Sequence, residues 1–457
     1  MTGMKELAGR KIVIAGLGKS GQGAAVFLSG LGADLTVTDM ASSDQLAKSL
    51  QPLRAAGIRM ELGGHRTETF TGADLIVLSP GVPHTIEPVR EALKKGIPVW
   101  GEVELASRFI EEPLVAITGT NGKTTTTELI GAMLSASGLK PFVGGNIGTP
   151  LIEYVMRKEK ADLVVAEISS FQLDTIERFS PRVAVLLNVT ADHLDRYAGM
   201  AEYAASKARI FENQLPTDTA VLNAGDEWVR MVTKPIASRK MYFGGEPRGA
   251  DNALITKDKI VIGLQGGQSG SIDLGSVSLK GRHNHENIAA AALAALAAGG
   301  NMDGIRSALK EYRGLAHRLE LVGRKAGVDY YDDSKATNVD AVVRAVESFR
   351  GDLILIMGGR DKGGEYTPLE APVREKVKLL IVLGEASAKI QSALGHLTDT
   401  RKVVSMEEAV AMAHGAAGPG DTVLLSPACS SFDMFDSYAH RGDVFRRAVA
   451  GIQEVVA

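Results

Sequence analysis

The sequence predicts an α/β protein of three consecutive domains, and three observations carry that prediction. Short apolar runs recur along all 457 residues, each followed by glycines or polar residues and then a helix-period stretch. That is the pattern of parallel strands buried on both faces. Near the start, Gly16-Leu-Gly18-Lys-Ser-Gly21 separates a strand-like run from a helical one, and in the middle Gly119-Thr-Asn-Gly122-Lys123-Thr124 does the same. The outer domains are therefore expected to be Rossmann-like and the middle one to be of the P-loop type. The expected spans are 1–108, 109–313 and 314–457.

In the first domain, Lys11-Ile-Val-Ile-Ala15 reads as a strand, Ala24 to Leu28 as helical, and Leu35-Thr-Val-Thr-Asp39 as the next strand. This βαβ unit with Gly-x-Gly-x-x-Gly and a strand-end acid predicts a diphosphate-bearing ligand, with Asp39 on a ribose. UDP fits that description as well as NAD does. The competing reading is that the glycines only make the turn. Asp74-Leu-Ile-Val-Leu78 ends in Ser79-Pro-Gly81, which places Gly81 at another strand end. Ile97-Pro-Val-Trp100 is the expected last strand, and Glu102 to Ile110 the connecting helix.

The middle domain opens with an apolar strand, Leu114 to Ile117, then the glycine turn, then a helix whose Leu129, Ile130, Met133 and Leu134 share a face. Glycines let backbone N–H groups approach an anion, and the helix start adds its positive end. Lys123 can reach nucleotide phosphates and Thr124 can ligate Mg²⁺. The Gly-x-x-Gly-Lys-Thr spacing is two residues shorter than the common form. Asp162-Leu-Val-Val-Ala-Glu167 and Val183-Ala-Val-Leu-Leu-Asn188, the latter leading to Asp192-His193, are two further strands. They are expected to bring Thr124, Glu167 and His193 to one sheet edge, where hard oxygens suit Mg²⁺. Glu167 can equally be a water-facing strand-end acid, and His193 a plain loop histidine. Met200 to Glu212 reads as a helix with Tyr203, Lys207, Ile210 and Phe211 on one stripe. Lys207 there is either snorkelling or kept partly desolvated and reactive. Residues 215–280 carry little pattern. Asn284 and Asn287 precede the Ala-rich run 289–298, as a ligand-facing pair or as a cap with a solvent neighbour.

In the third domain, Val328-Asp-Tyr-Tyr-Asp332 feeds the polar turn Asp333-Ser-Lys335-Ala-Thr337-Asn338. Leu353 to Met357, Leu379 to Leu383 and Thr422 to Leu425 are further buried strands, the last running into Ser426-Pro-Ala-Cys-Ser-Ser431-Phe432. Arg318, Lys335 and Lys362 can bind an anionic amino acid or phosphate, although each alone is ordinarily a surface charge.

Composition narrows the field. A net charge of −3 gives no general pull toward nucleic acid or anionic membrane. The single cysteine, Cys429, excludes an internal disulfide framework and suits a reducing cytoplasm. No stretch has the length and apolarity of a bilayer span, and Met1-Thr-Gly-Met-Lys-Glu lacks an apolar signal core.

Four stretches point one way: Gly119-Thr-Asn-Gly-Lys-Thr-Thr125, Asn188-Val-Thr-Ala-Asp-His193-Leu-Asp-Arg-Tyr197, Asp333-Ser-Lys-Ala-Thr-Asn338 and Ser426-Pro-Ala-Cys-Ser-Ser-Phe-Asp433. They closely resemble the Mur ligases of bacterial cell-wall synthesis, in order and over essentially the whole chain. The last stretch, with Glu167-Ile-Ser-Ser-Phe-Gln-Leu173, is most similar to members that add D-glutamate to UDP-N-acetylmuramoyl-L-alanine. The resemblance implies domains for UDP-sugar, ATP and amino acid in that order, and an acyl-phosphate mechanism.

By matching motif it implies that Gly119, Thr120, Asn121, Gly122, Lys123, Thr124, Thr125, Asn284, Asn287, Arg318, Asp333 and Lys335 serve ATP. It places two Mg²⁺ ions on Thr124, Glu167, His193 and a carbamylated Lys207, and makes Lys123, His193 and Lys207 catalytic. Lys19, Ser20, Asp39, Gly81 and Asn146 match UDP-substrate contacts, and Thr337, Lys362, Ser431 and Phe432 match D-glutamate contacts. Met40-Ala41 departs from the familiar Thr-Arg, and Tyr438 from a familiar Phe. No Asp-Asn-Pro-Arg occurs, the motif of members adding meso-diaminopimelate or lysine. The expected working unit is a cytoplasmic monomer. Rival readings are a Mur-type or folylpolyglutamate-type ligase for another amino acid, an NAD-dependent oxidoreductase, and a non-catalytic nucleotide-binding regulator.

Overall fold

A computed structural model describes residues 6–193, 196–246, 249, 251–266, 268–279, 281–349, 351–361 and 363–452, without the side chains of 47–49 and 52. Three sheets hold the strands. The first comprises β1 (Lys11–Ala15), β2 (Asp34–Asp39), β3 (Arg59–Leu62), β4 (Leu75–Leu78) and β5 (Val99–Gly101) in the order β3-β2-β1-β4-β5. Every pairing is parallel. Strand order reverses beside β1, so a crevice opens at the carboxyl ends of β1 and β4. Val13 and Ala15 pack with Ile76, Leu78, Val89 and Ala92 in one buried cluster.

The second sheet has β6 (Leu114–Thr118), β7 (Pro141–Gly145), β8 (Leu163–Glu167), β9 (Val183–Leu186), β10 (Thr219–Asn223), β11 (Arg239–Phe243), β12 (Asn252–Ile255), β13 (Lys259–Gly263) and β14 (Gly270–Asp273). Their order is β14-β13-β12-β11-β10-β9-β6-β8-β7. The core of this sheet is parallel, with β6 between β8 and β9, while β13 and β14 run antiparallel at one edge. The stretch that carried little pattern thus supplies five strands. Strand β10 is buried throughout, burial alternates along β11 and β13, and all five runs are only four or five residues long, which leaves no long periodic signal.

The third sheet, β15 (Glu320–Lys325), β16 (Val328–Asp332), β17 (Leu353–Gly358), β18 (Val377–Leu383), β19 (Asp399–Lys402) and β20 (Thr422–Leu425), has the order β15-β16-β20-β17-β18-β19. Only β15 is antiparallel. Leu353, Leu355 and Met357 enter one buried cluster and Ile354 and Ile356 another, as alternation along a two-sided strand requires.

By contacts the chain forms two units. One is Met1–Val189, Tyr203–Gly275 and Asn287–Lys310, with the first two sheets; the other is Thr190–Glu202, Ser276–Glu286 and Glu311–Ala457, with the third. Within the first unit, Glu102 and Glu104 of the helix Glu102–Ser107 are buried and bind backbone of the second-sheet region. Glu104 accepts N–H groups of Glu177, Arg178 and Phe179, and Arg108 Nε donates to it at 2.8 Å.

Several boundaries differ from the sequence expectation. The connecting helix stops at Ser107 rather than Ile110, and the stretch expected as one helix to Glu212 is helical over Met200–Ala208, then tightens into a 3₁₀ turn, Arg209–Phe211. Strand β9 ends at Leu186, two residues before Asn188, whose backbone and amide are occupied elsewhere. Among the described residues no helix is long and apolar enough to cross a membrane.

Candidate functional site

The central turn is built as an anion cradle. Strand β6 is fully buried and ends against Gly119 (φ +152°), and Gly122 (φ +85°) caps the helix Lys123–Ala136 without a side-chain cap bond. A helix start of this kind presents its positive end to a ligand anion. A Cβ on Gly119 would lie 2.9 Å from Leu187 Cβ, and one on Gly122 2.2 Å from Asn287 Oδ1, so both positions exclude a side chain. Asn188 templates the turn: Asn121 N donates to its Oδ1 at 2.8 Å, and its Nδ2 donates to Asn121 O at 3.0 Å. Asn188 was not among the expected site residues, because an asparagine at a strand end has no distinctive spacing.

Two lysines converge on this turn. Lys123 Nζ donates to Gly119 O (2.9 Å) and Thr120 O (2.8 Å), and Lys207 Nζ donates to Gly119 O at 2.9 Å. Lys207 is 1 % exposed, with Nζ 4.4 Å from the Tyr203 ring centroid. It is not a snorkelling surface lysine, since its ammonium lies inside.

Glu167 ends β8, which pairs with β6 through Ile117↔Glu167. It is buried; Oε1 accepts from Asn146 Nδ2 at 2.8 Å, and Oε2 is buried with no hydrogen-bond partner among the described residues. Buried polar atoms are nearly always satisfied. A buried carboxylate oxygen left open next to a phosphate cradle fits a hard divalent cation such as Mg²⁺.

The first sheet's crevice is a cavity of about 610 Å³ lined by Gly16–Ser20, Asp39, Met40, His65, Ser79–Pro83 and Ile86. It gathers Lys19, Ser20, Asp39 and Gly81 but not Asn146, whose amide is on Glu167. A Cβ on Gly21 would come within 1.9 Å of Gly16 O, so the first turn of the helix Lys19–Gly30 needs glycine there. Both Asp39 oxygens hold the loops, accepting Leu17 N (2.7 Å) and Ala41 N (2.8 Å). Burial lowers the pKa of His65, whose Nδ1 lies 2.9 Å from Thr38 Oγ1.

In the second unit, a cavity of about 560 Å³ is lined by Thr190–His193, Thr337–Asp340, Val343, Asp361, Gly363–Glu365, Pro368 and Ala428. His193 has φ +55°; its N–H donates to Asp192 Oδ1 at 2.9 Å, and Asn338 Nδ2 donates to Asp192 Oδ2 at 3.1 Å. Thr337 lines this cavity; Ser431 and Phe432 do not, Ser431 being buried and Phe432 exposed. Lys362 lies outside the described residues.

Arg318 stands between two left-handed residues, His317 (φ +62°) and Leu319 (φ +45°). His317 Nδ1 lies 2.7 Å from Asp332 Oδ2, and Asp333 accepts Leu319 N (3.3 Å) and Ser426 Oγ (2.9 Å). Burial raises Asp333 to about 7 and also raises Asp332. Lys335 Nζ lies 4.9 Å from the Tyr438 ring centroid, and Lys335 N donates to His317 O at 3.1 Å. Asn284 N donates to Gly281 O at 3.0 Å in the first turn of the helix Arg282–Ala297, and Asn287 is buried one turn on.

A glycine cradle at the end of a largely parallel sheet, with converging lysines and an unsatisfied buried carboxylate, defines a nucleotide-phosphate-binding α/β protein. Three family models match the chain: the Mur ligase MurD-like N-terminal domain over 10–101, the Mur ligase middle domain over 117–295, and the Mur ligase glutamate ligase domain over 317–429. A relative from Desulfosudis oleivorans named "UDP-N-acetylmuramoylalanine--D-glutamate ligase" is 50% identical over 449 residues, 98% of each chain. One of the same name from Desulfatibacillum aliphaticivorans is 51% identical over 97% of this chain and 99% of its own. Among solved structures, a pseudomurein peptide ligase type C from Methanothermus fervidus shares the fold, with a TM-score of 0.63, 21% identity and coverage of 97% of this chain and 100% of that one. The MurF ligase of Thermotoga maritima in complex with ADP does so with a TM-score of 0.61, 18% identity and coverage of 98% and 96%. The chain belongs to the Mur ligase family.

Proposed function

We propose that the protein is an ATP-dependent ligase of peptidoglycan precursor synthesis, joining D-glutamate to UDP-N-acetylmuramoyl-L-alanine through an acyl phosphate. Relatives of that name about half identical over nearly the full chain support the substrates. The observation that carries the chemistry is the cradle, where Lys123 and Lys207 meet at Gly119 O one strand from the open Glu167 oxygen. Residues 1–108 take the UDP-sugar, 109–313 ATP, and 314–457 the amino acid. The expected setting is the cytoplasm and the expected working unit a monomer.

A carboxylate is a poor acyl donor because its leaving oxygen is strongly basic. Attack of the substrate carboxylate on the γ-phosphorus breaks the bond to ADP and gives an acyl phosphate. The D-glutamate amine then attacks the acyl carbon, and orthophosphate leaves from the tetrahedral intermediate while the amine proton is lost. Such phosphoryl transfer needs positioning and charge stabilisation rather than covalent help from the protein. The turn 119–125 and Lys123 hold the ATP phosphates, and Asn284, Asn287, Arg318, Asp333 and Lys335 complete the nucleotide site. Lys19, Ser20, Asp39, Gly81 and Asn146 hold the UDP-substrate; Thr337, Lys362, Ser431 and Phe432 hold D-glutamate.

Thr124, Glu167, His193 and a carbamylated Lys207 would hold two Mg²⁺ ions, which when bound neutralise charge on the transferring phosphate. Carbamylation joins the neutral lysine amine to CO₂ with loss of a proton. It converts the side chain from hydrogen-bond donor to oxygen ligand. The test is isotopic. With ¹⁸O in the terminal carboxylate of the UDP-substrate, label is expected in released orthophosphate, and release is expected with D-glutamate alone among amino acids supplied singly. Unlabelled phosphate, or release with L-alanine instead, overturns the reading.

A further inference from the structure

Beyond its glycine turn, the crevice of the first sheet presents one polar side chain whose hydrogen bonding the loops leave incomplete. Among the residues lining it, Asp39 already holds Leu17 N and Ala41 N, and the Ser79 hydroxyl donates to Gly16 O at 2.7 Å. Lys19 and Ser20 stand in the first turn of the helix Lys19–Gly30, beside the turn that suits a diphosphate. The other lining residues are glycine or apolar, Met40 among them, with the single exception of His65.

His65 is held in one place and in one tautomer. It follows β3, whose last residue, Leu62, pairs with Asp39 at the end of β2. Gly63 (φ +81°) turns the chain, and the N–H groups of Gly63 and Gly64 donate to Asp39 O at 2.9 and 3.1 Å, which anchors the loop to β2. Thr38 is fully buried, and its Oγ1 donates to Gly64 O at 2.9 Å, since a carbonyl can only accept. A hydroxyl has a single proton. The 2.9 Å contact between Thr38 Oγ1 and His65 Nδ1 is therefore a hydrogen bond only with Nδ1 as donor. Phe70, itself buried, packs on the imidazole with ring centroids 5.8 Å apart and ring planes at 72°. Burial keeps the ring below its ordinary pKa against the opposing pull of the Asp39 carboxylate, so it is neutral at pH 7. Nε2 then carries a lone pair, and it has no hydrogen-bond partner among the described residues.

Position across the sheet says which part of a nucleotide this nitrogen meets. The glycine turn follows β1, Asp39 ends β2 and His65 follows β3, and these strands are neighbours in the order β3-β2-β1. A diphosphate at the turn, with its ribose at Asp39, sends the base on toward β3. Two strand spacings are about 10 Å, a span that a ribose and a pyrimidine ring cover. Uracil presents N3–H between two carbonyl oxygens, whereas cytosine presents a lone pair at N3. A neutral imidazole nitrogen fixed as an acceptor matches the first and repels the second.

We propose that His65 Nε2 accepts the uracil N3–H of the UDP-substrate and selects uracil over cytosine, with Thr38 as the positioning residue that fixes its tautomer. This deepens the ligase reading above and rests on it. The experiment is calorimetric binding of UDP, N3-methyl-UDP and CDP to the full-length protein, for wild type, His65→Ala and Thr38→Val. Wild type should bind UDP at least about tenfold more tightly than either analogue, the factor for leaving one acceptor unmatched. His65→Ala should weaken UDP by about tenfold and weaken N3-methyl-UDP by no more than about twofold, so that the two changes are not additive. A purely structural His65 would weaken both nucleotides by the same factor. Thr38→Val, which frees the tautomer, should weaken UDP by about threefold and narrow its lead over N3-methyl-UDP. Equal wild-type affinity for UDP and either analogue, or additive effects of methylation and His65→Ala, overturns the proposal. If His65→Ala does not fold, a Thr38→Val protein with wild-type UDP affinity and wild-type discrimination overturns it equally. Wild type binding none of the three nucleotides overturns the UDP assignment of this domain together with the proposal, whereas tight UDP binding with additive effects overturns the proposal alone.

Discussion

Replacing Glu102 with glutamine should make the protein less sensitive to rising pH. Glu102 is 1 % exposed; its Oε1 accepts Ile152 N at 2.7 Å, and its Oε2 has no partner among the described residues. Burial, opposed only by the backbone N–H groups of Ile152 and Leu151, pushes its pKa from 4.5 to about 7. The folded state therefore binds this proton more tightly than the unfolded chain does. Stability from this group is fully present below pH 4.5, falls as pH rises toward 7, and is level above that. The gap between 4.5 and about 7, at about 1.4 kcal/mol per pH unit, amounts to about 3 kcal/mol. Glutamine keeps an acceptor for Ile152 N and does not titrate. The assay is urea unfolding of wild type and Glu102→Gln between pH 4.5 and 8. Other buried acids, Asp333 included, titrate in both proteins and cancel in the comparison. The variant should gain on wild type by about 3 kcal/mol across that range. A difference that is constant with pH would refute the argument that burial drives the Glu102 shift.

Gly122→Ala places a methyl 2.2 Å from Asn287 Oδ1 at φ +85°. A left-handed alanine costs about 1–2 kcal/mol before Asn287 moves, so kcat/KM for ATP should fall at least about tenfold; an unchanged value in ATP-varied kinetics contradicts the cradle. Glu167→Gln should raise the Mg²⁺ concentration giving half-maximal phosphate release by about tenfold, and a wild-type Mg²⁺ titration would remove Glu167 from the metal site. Lys207→Ala should lose nearly all turnover and recover part of it with added short carboxylates that replace the carbamate head. Full activity without them rules out that role.

Parallel strands that read as unbroken apolar runs were legible, such as Leu114–Thr118 and Leu353–Gly358, whereas the short parallel strands β3, β7, β10 and β19 were not. Nor were the half-exposed strands β11 to β14, since runs of four or five residues are too short to show a period. Glycines that a Cβ cannot replace, Gly21 and Gly122 among them, stood out by spacing because close approach demands them. Helix ends were legible only to within a few residues, as the 3₁₀ turn at Arg209–Phe211 shows. Long-range partners left no mark. Nothing in the sequence ties Asn188 to Asn121 or Glu104 to the backbone of residues 177–179. Those contacts join positions far apart in the chain, where neither periodicity nor spacing reaches.

Glu102 and Glu167 each leave one buried oxygen without a partner among the described residues, and their settings separate a structural burden from a ligand site. Glu102 lies where the helix Glu102–Ser107 meets the start of the helix Leu151–Val155, and its bonded oxygen serves that helix end. Burial of the other oxygen is offset by no lysine or arginine among the causes of its shift, so the carboxyl holds its proton and the pKa rises. Glu167 ends a parallel strand beside the cradle, its bonded oxygen taken by Asn146 and its backbone O by Asn146 N at 2.8 Å. Gly145, whose Cβ would lie 2.5 Å from Glu167 O, allows this close packing. Asn146 thus orients Glu167 as an outer partner orients a metal ligand, leaving a single oxygen directed by the fold. If Glu167 were only structural, Asn146→Ala would cost stability and leave the Mg²⁺ dependence of phosphate release untouched. If it is a ligand, that dependence shifts in the same direction as in Glu167→Gln, and by less.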